Sequence, residues 1–552
     1  MLQDEETWLL RIKRNDPSLT RLDIRSFDVD QLLVVVNALI SKENTSLRVL
    51  HAGSWNLLDA LLNVSTSLRE LRLDGTRTDV VAPSLQQNTC LTSLNLDATQ
   101  LRCKGATAIA NSLKSNASLT TLSLNSNEIE HEGVQRLAEA LKKNCTLQEL
   151  SLQGNKILDS GAKALAEALH SNRALTKLDL QWCTIGADGA VALASAIESC
   201  ILQELNLGSN QIEGVGARAI ANACSQNKSL LKVLNLRKNG IGSLGCKTLA
   251  AMLRSNSSIT ELYLSSNMIR DDGIEDLADA LRMNSTLTHL DLSSNIVRNN
   301  GESCAYAQLA NAIADNTSLE WLWLQSNDLN RYAILPLSKA LAEHPSLKEL
   351  NLTRNMIGSI SAVELFKAMK TNPALEVLNL SGNALDRRCT QSLLNALRCH
   401  PSLRILDVSE NKIPTDCAVD MVDSLERNTS LTNLVLSIYD RVWDEGESDG
   451  EETVDKICRS LQTNLTLLDL KIYRHVHILS KPYSIVRNDA IDSILKENRF
   501  FGEHLHSANF ADGLLPHLLA KASDPLRVYH CARNRIDLVV TGLQSRRIDG
   551  AK

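Results

Sequence analysis

The chain has 552 residues, 43% of them hydrophobic and only 3% aromatic, with a formal net charge of −6 and a pI near 6.1. This balance suits a soluble folded protein and excludes bulk attraction to nucleic acid or to an anionic membrane surface. No stretch of the sequence approaches a transmembrane span, and the 13 cysteines are scattered without a C-x-x-C pair, which argues against zinc or redox chemistry and for reduced thiols.

The N-terminus, MLQDEETWLLRIKRND, puts charges first, and no signal-peptide core follows. A short covering helix is expected over residues 1–14, with Trp8, Leu9 and Leu10 shielding a first strand. Leucines that open strands then appear at Leu19, Leu47 and Leu68. The steps from Leu47 to Leu68 and from Leu68 to Leu91 are only 21 and 23 residues, with no helix signature between Leu73 and Asn88. Residues 1–90 therefore read as an irregular cap with short repeats.

From Leu91 the phrase L-x-x-L-x-L-x-x-N-x-I recurs every 28 residues with small slips, through Leu119, Leu147, Leu175, Leu202, Leu231, Ile259, Leu287, Leu319, Leu347, Leu375, Leu403 and Leu431. The step from Leu287 to Leu319 is longer, at 32 residues. A constant period of this length means a solenoid in which each unit packs on its neighbours, and residues 91–436 are its regular part. Leucines at the fourth and sixth positions alternate as a short strand requires.

The ninth position holds Asn127, Asn155, Asn210, Asn239, Asn267, Asn295, Asn327, Asn355, Asn383 and Asn411. This column is expected to satisfy backbone groups where the chain leaves each strand, a structural role. The second half of a unit reads G-x-x-x-L-A-x-A-L, as in Gly133 to Leu141, which is one apolar helix face. The glycines Gly133, Gly161, Gly189, Gly216, Gly245 and Gly273 suit a tight approach or turn before the helix. N-x-[ST] triplets at Asn116, Asn144, Asn256, Asn284, Asn316 and Asn428 fall three residues before a strand leucine. They read as helix-ending residues in a left-handed or capping conformation, not as glycosylation sites.

One strand and one helix per unit give an α/β solenoid, curved, with parallel strands on the concave face and helices on the convex face. The pattern resembles the ribonuclease-inhibitor type of leucine-rich repeat, which also occurs in the C-terminal part of NOD-like receptors and in Ran GTPase-activating proteins. The resemblance is strong over residues 91–436 and weak over 15–90 and 437–500. It implies the fold, and it makes GTPase activation the alternative to a pure binding role. The sequence contains no P-loop of the G-x-x-x-x-G-K-[ST] kind. Its end, ARNRIDLVVTGLQSRRIDGAK, is mildly basic, unlike the acidic tail of the Ran GTPase-activating proteins.

After Leu431 the pattern breaks. Residues 437–470 read as an interrupted last repeat: the unit that starts at Leu431 is broken by an acidic loop over 439–453 that holds Trp443, and Leu465 reads as the next strand leucine. Residues 471–552 read as a mostly helical cap, with helices over 488–497 and 511–521. His475 and His477 form an H-x-H pair that lacks further metal ligands.

The solvent-facing fifth position of each strand is mostly small and polar, which makes the exceptions informative. Tyr263 and Trp323 occupy it on either side of the strand that carries Asp291, with Trp321 and His289 at neighbouring third positions and Trp182 at an eighth position. Interfaces use such residues as anchors; simple packing of the rings on the sheet is the competing reading. Asp179, Asp291 and Asp407 stand too many strands apart to act as a carboxylate pair, and no Ser, His and Asp set converges in the register. The expected function is non-enzymatic: a protein–protein interaction scaffold, or a structural subunit of a larger intracellular assembly. It binds a protein partner on the concave face and uses no cofactor, metal, nucleic acid or membrane. A cytoplasmic location is expected, with cilium and nucleus as alternatives.

Overall fold

The computed structural model describes residues 11, 16–25, 37, 46–52, 67–74, 81–225, 229–295, 305–398, 400–425, 428–438, 457, 459, 461, 467, 469–474, 484–485 and 496. Two compact units divide the chain, Met1–Arg298 and Asn299–Lys552. The covering helix expected over 1–14, the acidic loop 439–453 with Trp443, the His475/His477 pair and the helices expected over 488–497 and 511–521 lie outside the described residues, apart from single positions.

In the first unit the strands are β1 (Arg21–Ile24), β2 (Val49–Ala52), β3 (Glu70–Leu73), β4 (Ser93–Asn95), β5 (Thr121–Ser123), β6 (Glu149–Ser151), β7 (Lys177–Asp179), β8 (Glu204–Asn206), β9 (Val233–Asn235), β10 (Glu261–Tyr263) and β11 (His289–Asp291). Each pairs in parallel with the next, leucine against leucine, as in Leu122↔Leu150↔Leu178. The helices are α1 (Val81–Gln87), α2 (Arg102–Leu113), α3 (His131–Leu141), α4 (Leu158–Ser171), α5 (Ala187–Ile197), α6 (Glu213–Cys224), α7 (Gly242–Leu253) and α8 (Asp271–Leu281). Helix α1 corrects the sequence expectation: Ala82 and Leu85 are buried and give residues 81–87 the apolar side that a short helix needs.

The strands bury their leucines and turn the third and fifth positions outward, except that Asp291 at the fifth position of β11 is buried. Each helix buries one stripe; in α3 it is Val134, Leu137, Ala138, Ala140 and Leu141. The alanines let adjacent helices approach. Gly133 is needed for the same reason: a Cβ there would stand 2.8 Å from Ile129 Cγ2 and 3.1 Å from the Cys103 Cα. The left-handed turn falls elsewhere, at the eighth position, where Ser126, Gly154, Trp182, Ser209, Lys238 and Ser266 all have positive φ. There the amide donates to the next repeat, as Trp182 N does to Gly208 O at 3.0 Å.

Two columns of side chains satisfy the backbone left over between strands and helices. At the ninth position, Asn155 Oδ1 accepts from the amides of Asn127 (3.1 Å) and Ile129 (2.9 Å). Its Nδ2 donates to Leu124 O (2.9 Å) and Leu152 O (2.8 Å). Where asparagine is missing, Cys183 takes the place with Sγ 3.2 Å from Leu152 O, and burial pushes its thiol up to about 12. In the second column, Asn144 Oδ1 accepts from the amides of Thr146 and Leu147, and Nδ2 donates to Leu113 O and Asn116 O. Of the two conformations the sequence offered, left-handed or capping, these asparagines take the capping one, from extended backbone, with φ −70 and ψ 134 at Asn172. Two acceptor bonds to following amides hold them there.

In the second unit β12 (Trp321–Trp323), β13 (Glu349–Asn351), β14 (Val377–Asn379), β15 (Ile405–Asp407), β16 (Asn433–Ile438) and β17 (Asp469–Arg474) pair in parallel, and β18 (Ser484–Ile485) adds antiparallel to β17. Its helices are α9 (Ala305–Asp315), α10 (Arg331–Ala342), α11 (Gly358–Thr371), α12 (Arg387–Leu397) and α13 (Thr415–Ser424). Leu434 pairs with Leu470, so the leucine that opens β17 is the buried Leu467 and not Leu465. A shift of two residues keeps the same strand face, which is why periodicity alone misplaced it. Strands on one face and helices on the other make the fold an α/β leucine-rich repeat solenoid.

Candidate functional site

The residues singled out on the strands divide between the units. Tyr263, Asp291, His289 and Trp182 lie in the first, Trp321 and Trp323 in the second.

In the first unit Tyr263 stands in register between Asn235 on β9 and Asp291 on β11. Its hydroxyl donates to Glu261 Oε2 at 2.7 Å. Burial first, then that carboxylate, raise the Tyr263 pKa. Asp291 is buried and accepts from the Ser293 amide at 2.9 Å, and His289 Nδ1 lies 2.8 Å from Thr288 Oγ1. An open cavity of about 430 Å³ runs over β5 to β10, walled by Glu149, Lys177, Asp179, Glu204, Asn206 and Tyr263 among others. The Lys177 ammonium sits 3.0 Å from Glu204 and 3.7 Å from Glu149; the hydrogen bond with Glu204 is the larger cause of its raised pKa. Among the described residues no cation pairs with Asp179, and burial raises its pKa.

In the second unit the Trp323 indole donates to Glu349 Oε1 at 2.7 Å. The Lys348 ammonium lies 5.3 Å above the Trp321 ring and 2.7 Å from Glu320. Val377 and Ile405 continue the third-position column of Trp321 and Glu349. Both indoles are thus held by charged neighbours on the next strand. Trp182 stands at the edge of the first unit, more than half exposed, with the Lys238 ammonium 5.0 Å from its ring centroid.

Sequence reasoning missed a network on β1 to β3. His51 Nε2 lies 2.8 Å from Asp74, and Nδ1 lies 3.6 Å from Asp23. Arg25 pairs with both aspartates, and its hydrogen bond is the main cause of the lowered Asp23 pKa. Counting four residues on from Leu19, Leu47 and Leu68 finds Asp23, His51 and Arg72 at the fifth position, but the compressed steps hid that register. Among the described residues no group of three or more His, Cys, Asp or Glu is placed to hold a metal, and no helix is long and apolar enough to cross a membrane.

This geometry defines the class: the chain carries leucine-rich repeat domains. Residues 72–188 match a family model described as TMOD/LMOD Leucine-rich domain, and residues 198–221, 227–250, 255–278 and 284–301 match Leucine Rich repeat. No curated protein matches the chain. Among solved structures, that of Leiomodin-1 Actin-Binding Site 2 is 19% identical, with a TM-score of 0.26, covering 32% of this chain and 92% of that one. The tropomodulin C-terminal domain of Caenorhabditis elegans is 18% identical, with a TM-score of 0.26 and coverages of 32% and 98%. The TLR13–ssRNA13 complex is 18% identical, with a TM-score of 0.44; the match covers 81% of this chain and 55% of that one.

Proposed function

We propose that this chain is a non-enzymatic interaction protein that holds a protein partner on its strand faces, as a scaffold or as a subunit of a larger intracellular assembly. The observation that carries the reading is the fixing of aromatic side chains on solvent-facing strand positions. Trp323 is tied to Glu349 and Tyr263 to Glu261, each at 2.7 Å. Anchors already held in one rotamer lose less entropy on binding, which favours their use as hot spots. The described cysteines are free thiols, six of them buried, which supports a reducing, cytoplasmic setting. The repeat register supports the ribonuclease-inhibitor type of leucine-rich repeat.

Native purification followed by cross-linking mass spectrometry tests the proposal, with actin included as one purified ligand. The expected result is a partner cross-linked to the strand faces. Its affinity should fall about thirtyfold or more on Trp323→Ala or Tyr263→Ala, at unchanged circular dichroism. Cross-links confined to the helices, with full affinity in both variants, would overturn it.

A further inference from the structure

The edge of the first unit where strands run into helices changes character at the seventh strand. In the two preceding repeats the outward positions of this edge hold Ser126, Glu128 and Glu132, then Gly154, Lys156 and Ser160. Beyond them stand four large exposed apolar side chains: Trp182 (54%), Val215 (50%), Leu244 (73%) and Met268 (60%). Trp182 follows β7, Val215 and Leu244 lie in the first turns of α6 and α7, and Met268 precedes α8. Between them Gly240 and Gly242 offer no side chain, and a Cβ at either would meet nothing within 4 Å. The result is a run of exposed apolar side chains over four successive repeats, open at Gly240 and Gly242 and interspersed with exposed Thr184, Asp188 and Gln211.

Trp182 also stands out for its size. Its φ is 59°, the left-handed conformation that Ser126, Gly154, Ser209, Lys238 and Ser266 share at this position, and none of these places a large apolar side chain there. The run carries charge on its strand side. Arg237 and Lys238 follow β9, both exposed, and among the described residues neither makes an ion pair, whereas Lys177 on the same face makes two. The carboxylates of this edge, Asp188, Glu213, Asp271 and Asp272, lie in first turns of α5, α6 and α8, where the helix dipole favours them.

We propose that this edge, from Trp182 to Met268, docks an acidic amphipathic peptide segment of a protein partner. Its apolar side chains cover Trp182, Val215, Leu244 and Met268, and its carboxylates meet Arg237 and Lys238. The inference rests on the interaction reading above and names a surface and a partner chemistry within it.

The test is selection from a random displayed peptide library on the full chain, followed by affinity measurement with the synthetic peptides selected. The expected peptides place Asp or Glu beside Leu, Phe or Trp. Affinity should fall about thirtyfold on Trp182→Gly, fall on the double variant Arg237→Ala, Lys238→Ala, and weaken with added salt. Trp182→Gly should melt no lower than the parent, because glycine takes positive φ without strain. If it does melt lower, the exposed Arg237/Lys238 pair carries the test instead. Peptides without acidic residues, peptides that keep their affinity in these variants, or no enrichment at all would overturn the proposal. So would a single-stranded RNA oligonucleotide that binds the parent and is lost in the variants, since the cations would then serve phosphates. Peptides lost on Tyr263→Ala or Trp323→Ala but kept on Trp182→Gly would sink this edge and leave the strand-face reading standing.

Discussion

His400 should make the second unit sensitive to acid. It stands in the column where most repeats place asparagine, and only 3% of its surface is exposed. Its Nδ1 accepts from the amides of Leu403 (3.0 Å) and Ser402 (3.3 Å), so the ring is neutral with its proton on Nε2. Burial lowers its pKa to about 4, from 6.5. The folded value lies below the unfolded one, so the unfolded chain takes up the proton first as pH falls. The stability His400 confers is complete above about pH 6.5 and is lost as pH drops to about 4. At ~1.4 kcal/mol per pKa unit the loss is about 2–3 kcal/mol. In His400→Asn the amide can make the bonds that Asn428 makes to Leu431 N, Ser430 N and Leu397 O. Urea midpoints of parent and variant, measured from pH 7.5 to pH 4, give the assay. The two curves should run together above pH 6.5 and diverge below it, the variant being more stable. Titrating carboxylates act on both proteins and cancel in the difference. Parallel curves through the whole range would refute the reasoning.

Leu262→Ala should cost about 2–5 kcal/mol in chemical unfolding, because the leucine is fully buried between adjacent repeats. Asn267→Ala leaves the Asn239 and Ile241 amides without their acceptor, at about 1–3 kcal/mol for a buried group left unpaired; unchanged midpoints in both variants would show the register to be wrong. Gly245→Ala should destabilise by about 1–3 kcal/mol, since its Cβ would run into Ile241 Cγ2 and stand 3.0 Å from the Gly214 Cα. Gly240→Ala, at φ 65° with open space around it, should instead cost only the left-handed penalty of about 1–2 kcal/mol and leave packing intact. Equal melting temperatures for parent and Gly245→Ala would remove the close-approach argument.

The buried half of each repeat was legible because every unit solves the same problem. Leucines 122, 150 and 178 meet in register because each must fill the space between the same two neighbours. The ninth-position asparagines could be placed for the same reason. What escaped was whatever changes the spacing or the residue type while keeping the geometry. The strand opened by Leu467 lies beyond an insertion that hides the count. His344 and His400 occupy the asparagine column as H-P-S-L, a substitution visible in the sequence but chemically legible only once Nδ1 is seen accepting from the amides of Leu347 and Leu403. The tie between Trp323 and Glu349 follows from the register of adjacent strands, but the sequence does not say which rotamer brings the indole to the carboxylate.

Repetition also explains why departures from it carry the functional information. A position that every repeat fills alike is set by the fold, so one that breaks the rule has to be compensated within the fold or by something outside it. Trp182 breaks it in size: the left-handed backbone is shared with Ser126, Ser209 and Lys238, but the adjacent repeats place only Gly154 and Ser209 where it exposes an indole. An exposed cation–π contact such as that with Lys238 returns about 0.5–1 kcal/mol. More than half of the side chain still faces water. The tryptophans of β12 follow the opposite rule. They stand on ordinary strand backbone and take hydrogen-bond and cation–π partners from the neighbouring strand, which fixes them at little cost to the fold. The strand-face set is fixed by the sheet and the Trp182 side chain is left largely in water, so the two make separate claims on a partner.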